Sequence, residues 1–271
     1  MQNLISWKIG GEQGQGIDSS GDLFATVCNR LGYYVYGYKE FSSRIKGGHS
    51  NYKIRVGVEP VASTSDDLHI LVAIDQETID RNHHELVPGG FVVADTAIGA
   101  KLPEGRGARL LEVPMTEIAN EVGNPRVKNV VSLGVTAYLL GLPVEAFADL
   151  LSRTYGRHGK EVVAQNEAAL QRGYAYALEH VLETPWKLAP SDGKPKLLMI
   201  GNEAVGLGAL VAGCRVMSAY PITPASEIME WLQREFPKVG GVVVQCEDEI
   251  AAITMAIGAG SAGARAMTAT A

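Results

Sequence analysis

Three acids, Glu247, Asp248 and Glu249, stand where the run Val242–Val244 gives way to a stretch of very small residues, Ala251 to Gly263. Acids at a helix start are favoured by the helix dipole alone. A helix with such small side chains also packs very closely against a neighbour or a cofactor. A carboxylate held at its start then projects into that interface, where partial burial would tune it. A second group is Tyr220-Pro221-Ile222-Thr223-Pro224, followed by Ala225-Ser226-Glu227. Two prolines bracket Ile222 and Thr223, remove backbone donors and stiffen the loop. A stiff loop carrying a hydroxyl at a strand's carboxyl end suits a ligand. The same residues also suit a helix start, with Thr223 or Ser226 as N-cap and Pro224 in the first turn.

Near the N-terminus, Gly10-Gly11-Glu12-Gln13-Gly14-Gln15-Gly16 follows a strand pattern and precedes a helix pattern. Glycines let a backbone approach a phosphate, and the helix start offers unpaired N–H groups. The order Gly11-x-x-Gly14-x-Gly16 differs from the dinucleotide fingerprint G-x-G-x-x-G, and no acid ends the stretch Tyr33–Tyr38. These residues fit a phosphate cradle and a bare strand–helix turn equally well. The segment Phe41–Asn51 holds Arg44 and Lys46 beside Gly47-Gly48, which suits an anionic ligand or an exposed polar loop. His83-His84 lacks a carboxylate at ligand spacing and reads as helix surface. His158 sits in a glycine-flanked turn and is assigned no role. Cys28, Cys214 and Cys246 are far apart with no CxxC pair, so no disulfide framework, zinc site or self-contained iron–sulfur site is expected.

Several elements must position these groups. Apolar runs at Leu4–Ile9, His69–Asp75, Gly90–Asp95 and Arg109–Val113 read as strands. Asn51–Val58 alternates, with Tyr52, Ile54, Val56 and Val58 on one face and Lys53 and Arg55 on the other. Helical spacing runs through Phe24, Val27, Cys28 and Leu31, and again over 130–142, 144–151 and 161–178. Strand–helix alternation predicts a mostly parallel, layered α/β sheet. Composition shifts at Leu182–Lys196, which holds three prolines and several charges and reads as a linker. A strand over Leu197–Ile200 then restarts the pattern. The expected organisation is a first domain over 1–181, a linker over 182–195 and a second domain over 196–271.

At 271 residues the chain has room for about two domains. Its 24 basic and 30 acidic side chains leave a net charge of −6, which argues against bulk nucleic-acid binding. No apolar run reaches the roughly 18 residues of a membrane span, and the N-terminus lacks a signal peptide's apolar run. A cytoplasmic protein is expected. The last residues, Ala266–Ala271, suit a buried strand. A domain ending there would leave an open sheet edge, so the sequence reads as a fragment of a longer chain.

Together these segments resemble the 2-oxoacid:ferredoxin (acceptor) oxidoreductases, and among them the subunit with a γ domain fused ahead of an α domain, of the 2-oxoglutarate type. GGEQGQGI and FSSRIKGGHSNYKIRVG match the γ domain. Ile200–Ala204, AYPITPASEI and the stretch from Glu247 through GAGSAGARAMTATA match the α domain's pyrimidine-binding thiamine module. The resemblance implies a γ domain with a layered α/β sheet, followed by the start of a pyrimidine-type α/β domain. It implies decarboxylation of a 2-oxoacid on thiamine diphosphate, with 2-oxoglutarate ahead of pyruvate, giving acyl-CoA, CO₂ and reduced ferredoxin. Glu249 matches the glutamate that hydrogen-bonds the aminopyrimidine ring, with Glu247 as the alternative two residues away. A carboxylate there favours the imino tautomer that helps remove the thiazolium C2 proton. Thr223 matches the threonine that contacts the substrate, in a loop shaped by Tyr220, Pro221, Ile222 and Pro224. Gly11, Gly14 and Gly16 match a coenzyme A contact, with Arg44 and Lys46 as anion contacts.

The resemblance also implies a partner β subunit carrying Mg²⁺ and a [4Fe–4S] cluster and sharing the thiamine diphosphate, in an αβ or (αβ)₂ assembly. A basic residue that grips the substrate carboxylate is expected beyond Ala271, so the isolated chain is expected to be inactive. Two other readings fit parts of the sequence. One is the pyrimidine domain of a transketolase- or decarboxylase-type enzyme, which the γ segment disfavours. The other is a non-catalytic nucleotide-binding interaction module.

Overall fold

The computed structural model describes residues 1–42, 48–105 and 107–271. They form two compact units, Met1–Leu197 and Leu198–Ala271.

The first unit opens with β1 (Leu4–Glu12), α1 (Ile17–Arg30), β2 (Tyr34–Phe41), β3 (His49–Gly57), β4 (Leu68–Ala73), α2 (Gln76–Asn82), β5 (Leu86–Asp95) and β6 (Arg109–Val113). Helices α3 (Met115–Glu121), α4 (Lys128–Leu140), α5 (Val144–Tyr155) and α6 (Lys160–His180) follow. The six strands make one mixed sheet in the order β2-β3-β1-β4-β5-β6. Strands β1, β4, β5 and β6 are parallel, and β3 pairs antiparallel with both β1 and β2.

One sheet face carries Ile5, Trp7 and Ile9 of β1 and Tyr52, Ile54 and Val56 of β3 into the larger core, with α1, α4, α5 and α6. Trp7 packs on Phe24 and donates its indole N–H to Thr136 Oγ1 at 3.1 Å. Helix α4 is buried on nearly every face. It meets α6 through Gly134 and Gly173, where a Cβ at either glycine would run into the backbone of the other helix. The smaller core, under α2, joins Leu71, Ala73, Ile79 and Val92.

The alternation in β3 is real but does not leave its cations in water. Lys53 is buried, and Glu85 receives Lys8 Nζ at 2.5 Å and Lys53 Nζ at 2.7 Å. Burial alone would raise the Glu85 pKa. The hydrogen bonds from Lys53 and Lys8, and their charges, outweigh it and hold the carboxyl below its ordinary range. The cluster continues from Lys8 Nζ to Asn82 Oδ1 (2.8 Å), from Asn82 Nδ2 to Asn51 Oδ1 (3.3 Å), and to His49 Nε2, 2.9 Å from Asn51 Oδ1.

The structure corrects two expectations about the segment between the units. Residues 182–196 are not a free linker. Ala189 N–H donates to the Gln2 carbonyl, Gln2 N–H to Lys187 and Leu188 N–H to Leu140. Trp186 and Leu188 are buried, and the Trp186 indole donates to the Gly89 carbonyl. Prolines forbid regular structure here, but two apolar anchors still tie the segment down, so the unit boundary falls at 197/198 rather than 181. Residues Leu197–Ile200 are not a strand, because no strand pairs with them and Leu197 and Ile200 are exposed. Strand β2, without a clean alternation, carries no strand signal in the sequence. It is a sheet edge whose residues are only half-covered or exposed.

The second unit comprises α7 (Gly201–Val211), β7 (Val216–Ala219), α8 (Ser226–Glu235), β8 (Val242–Gln245), α9 (Glu249–Ser261) and β9 (Ala266–Met267). Its sheet is parallel, in the order β8-β7-β9. Met217, Leu232 and Phe236 form its core. Ile250, Ile253 and Ile257 of α9 are exposed.

Candidate functional site

Two sites can be built, one in each unit. In the first unit the glycine segment divides by role. Gly11 lies inside β1, where a Cβ would press on Gln15, Ile17 and Ile74. It is a packing glycine. Gly14 and Gly16 have φ of +89° and +80°, which side chains rarely adopt, and they shape the turn into α1. Both line a cavity of about 690 Å³.

That cavity is walled by the starts of two helices, α1 and α4, and by the turn after α5. α1 starts at Gly16 without a side-chain cap, whereas the turn Pro125–Val127 that leads straight into α4 is capped by Asn124, whose Oδ1 accepts from Arg126 N–H at 3.2 Å. Arg126, Lys128 and His158 line the cavity, and among the described residues its wall holds no acid. Among the described residues neither Arg126 nor Lys128 has an ion-pair partner. In a chain of net charge −6 this is a locally cationic wall, of a chemistry that suits an anion. Asn129 holds the glycine turn from α4, donating Nδ2 to the Gln15 carbonyl at 2.6 Å. Asn124, Arg126, Lys128, Asn129 and Tyr155 carry no glycine-type sequence signal, because they reach the turn only through the fold. His158, with no role in the sequence, is brought to the same wall. Arg44 and Lys46 lie outside the described residues.

In the second unit the sequence groups come together by strand order. β7 and β8 are parallel neighbours with Ala219 opposite Gln245. The Tyr220–Pro224 loop and the Glu247–Glu249 acids therefore leave from the same carboxyl edge, and Cys246 N–H donates to the Ala219 carbonyl at 2.9 Å. Asp248 is the N-cap of α9, accepting from Ala251 N–H at 2.7 Å, so Glu249 is the first helical residue. Ser218 Oγ donates to the Ala252 carbonyl at 2.7 Å and fixes α9 to β7. Asn202 of α7, not singled out in the sequence, donates Nδ2 to the Pro224 carbonyl (2.9 Å) and to Glu227 (2.8 Å), which steadies the loop.

Two local expectations change here. The N-cap of α8 is Ala225, without a side-chain cap, so neither Thr223 nor Ser226 fills that role. Among the described residues the Thr223 hydroxyl has no hydrogen-bond partner, and Thr223 and Pro224 are exposed. The Glu249 carboxylate is exposed, as is Glu247, rather than partly buried. Asp248 takes the capping position, so Glu249 points off the helix start, where no side chain of this unit covers it.

Comparison with known proteins decides the family. The family model described as pyruvate ferredoxin/flavodoxin oxidoreductase matches residues 6–176. The chain belongs to the pyruvate ferredoxin/flavodoxin oxidoreductase family. A second model of this family, its thiamine diphosphate-binding part, matches residues 207–271. A 2-oxoacid:ferredoxin oxidoreductase subunit alpha from a Sulfolobus species is 32% identical over 98% of this chain and 50% of the relative. A solved 2-oxoglutarate:ferredoxin oxidoreductase from Magnetococcus marinus, with 2-oxoglutarate, coenzyme A and succinyl-CoA bound, is 36% identical. It superposes with a TM-score of 0.90 over 99% of this chain and 47% of that one. A keto/oxoacid ferredoxin oxidoreductase gamma subunit from Geobacter sulfurreducens matches at 25% identity with a TM-score of 0.57, over 66% of this chain and 98% of that one. The chain thus spans about half the length of the alpha-subunit relatives it matches. A γ-like domain followed by the start of a thiamine-binding α/β domain is the architecture found. Among the described residues no helix is long and apolar enough to cross a membrane.

Proposed function

We propose that this chain serves a 2-oxoacid:ferredoxin oxidoreductase that converts a 2-oxoacid and coenzyme A to acyl-CoA and CO₂ and passes the electrons to ferredoxin. The substrate read here is 2-oxoglutarate, with pyruvate second. The observation that carries this reading is the shared carboxyl edge of β7 and β8, which sets the Thr223 loop beside the start of α9 within a thiamine-binding segment.

The residues present fit the pyrimidine side of thiamine diphosphate. Glu249, with Glu247 as the alternative, offers an acceptor fixed in place by the Asp248 cap and the Ser218 anchor. Small residues along α9 let a flat ring approach the helix. Thiamine diphosphate supplies the carbon nucleophile and the electron sink for decarboxylation. Glu249 orients the ring and keeps a proton at its edge. Thr223 donates its hydroxyl to the substrate's carboxylate or keto oxygen, while Tyr220, Pro221, Ile222 and Pro224 hold the loop rigid. Coenzyme A binds at the glycine turn, where Gly14 and Gly16 open the backbone and Gly11 packs the strand beneath. Arg44 and Lys46 are further anion contacts in this reading. The diphosphate's Mg²⁺ and the [4Fe–4S] cluster belong to a partner β subunit, in an αβ or (αβ)₂ assembly that also meets ferredoxin.

The test is co-expression of the complete gene with its β subunit, followed by CoA-dependent reduction of a low-potential dye with 2-oxoglutarate and pyruvate in parallel. Reduction that requires both thiamine diphosphate and CoA is expected, faster with 2-oxoglutarate. A folded, cofactor-loaded complex that reduces nothing with any 2-oxoacid would leave a non-catalytic nucleotide-binding module as the reading.

A further inference from the structure

We infer that Ser218 is a positioning residue for the pyrimidine site: its hydroxyl sets the register of α9 on β7, and with it the place of Glu249 beside the Thr223 loop. This rests on the reading above that Glu249 meets the thiamine ring.

Strand alternation puts Ser218 where it can do this. Met217 and Ala219 of β7 turn into the core with Leu232 and Phe236. Ser218 lies between them in sequence, so it faces the opposite side of the sheet, and it is fully buried there. Helix α9 covers that side, and Ser218 Oγ donates to the Ala252 carbonyl at 2.7 Å. Ala252 is the buried residue of the helix, about 4.5 Å of helix rise beyond Glu249. In the other direction, Ser218 stands two residues before Tyr220, where the loop to Pro224 begins. One side chain thus ties the strand that launches the substrate loop to the helix that carries the acid.

Packing alone does not hold this helix in place. Its covered or half-covered positions are Ala251, Ala252, Ala256 and Ala259, each with one methyl group. A row of methyls makes shallow ridges, which slide and turn over a strand at little cost. A hydrogen bond is less forgiving, since it weakens steeply outside a narrow range of distance and angle. Among the described residues no other hydrogen bond joins α9 to β7. The Asp248 cap closes only on the helix's own first turn, so it shapes the start without placing it. The Ala252 carbonyl also sits in the helix ladder and keeps a partner when the hydroxyl is removed. Losing the hydroxyl therefore leaves no bare buried group. It changes where the helix rests rather than whether the unit folds.

The test uses the complete gene co-expressed with its β subunit, as the parent, Ser218→Ala, Glu249→Gln and the double variant. Without thiamine diphosphate, Ser218→Ala should speed amide hydrogen exchange in the first turns of α9 about tenfold and leave α8 unchanged. With thiamine diphosphate saturating, it should slow exchange of the thiazolium C2 proton with solvent about tenfold, because a misplacement of about 1 Å is costly. The KM for coenzyme A should stay as in the parent. In the Glu249→Gln background Ser218→Ala should slow the C2 exchange no further, since it acts through that carboxylate. A Ser218→Ala complex that keeps either exchange rate at the parent's value overturns the inference. So does an equal slowing of C2 exchange in the Glu249→Gln background. A Ser218→Ala complex that fails to fold makes Ser218 a stability residue and overturns it as well. If Glu249→Gln leaves the C2 exchange unchanged, the reading of Glu249 falls instead, and the amide exchange of α9 still decides whether Ser218 holds the helix.

Discussion

The two units build their sites in opposite ways. The first recesses its site: the glycine turn, α4 and the turn after α5 line a half-open cavity beside the larger core. The second lays its site open, with Thr223, Glu247 and Glu249 exposed at the edge of a three-stranded sheet and the isoleucines of α9 facing outward. A recessed site offers a ligand walls of its own unit. Under the proposed function, the open one is completed by another surface.

The sharpest way to test this contrast is Glu249→Gln in the co-expressed complex. It should cut 2-oxoacid-dependent dye reduction by about 10²–10⁴-fold while coenzyme A titration stays unchanged. Loss of both together would break the separation of the sites. Next in size is Glu85→Gln in the first unit, which leaves Lys8 and Lys53 buried without a full counter-charge. A loss of about 3–5 kcal/mol in chemical denaturation is expected. The same group predicts a pH dependence. Its folded pKa lies below its unfolded value near 4.5, so its stabilisation is complete above that pH and fades as the pH falls through the folded pKa. The denaturant midpoint should therefore fall less steeply with pH below about 4.5 in the Gln variant.

Core packing gives a third comparison. Phe147→Ala, at a fully buried site of the first unit, should cost about 3–5 kcal/mol, against about 0.5 kcal/mol or less for Ile257→Ala on the exposed face of α9. If Ile257→Ala instead blocks co-purification with the β subunit, the open surface is the one that assembly covers. The smallest effect belongs to Asn202→Ala, about 1 kcal/mol, which should raise the KM for the 2-oxoacid through a looser Pro224 loop.

Much of this was legible in the sequence, and what was not has a physical cause. Apolar runs located β1, β4 and β5 because strands buried on both faces leave a continuous signal, while β6, an edge strand only partly covered, was found from its Leu110-Leu111 pair and Val113. Strand β2 was missed because an edge strand needs no buried pattern. The strand expected at Leu197–Ile200 failed because an apolar run is only half of a strand, and a neighbour must supply the other half. The loop that carries Thr223 and the helix start that carries Glu249 were legible because prolines and a capped helix start are local signals. Asn129 and Arg126 were not, because each reaches Gly16 across more than a hundred residues of chain. Trp186 and Leu188 show the same limit in reverse. A proline-rich segment spelled a linker, while two side chains within it bound it to the first unit.

The buried chain of groups behind β3 has a direction. Lys8 can only donate, so Asn82 must turn its oxygen to it and its nitrogen toward Asn51. Asn51 then shows its oxygen to the ring of His49, which obliges Nε2 to carry the proton and leaves Nδ1 bare. An ammonium group three hydrogen bonds away thus dictates a tautomer, as a switch set at one end of a track fixes the points at the other. Nitrogen-15 spectra of the imidazole should show one tautomer in the parent chain, and Lys8→Met should release that choice.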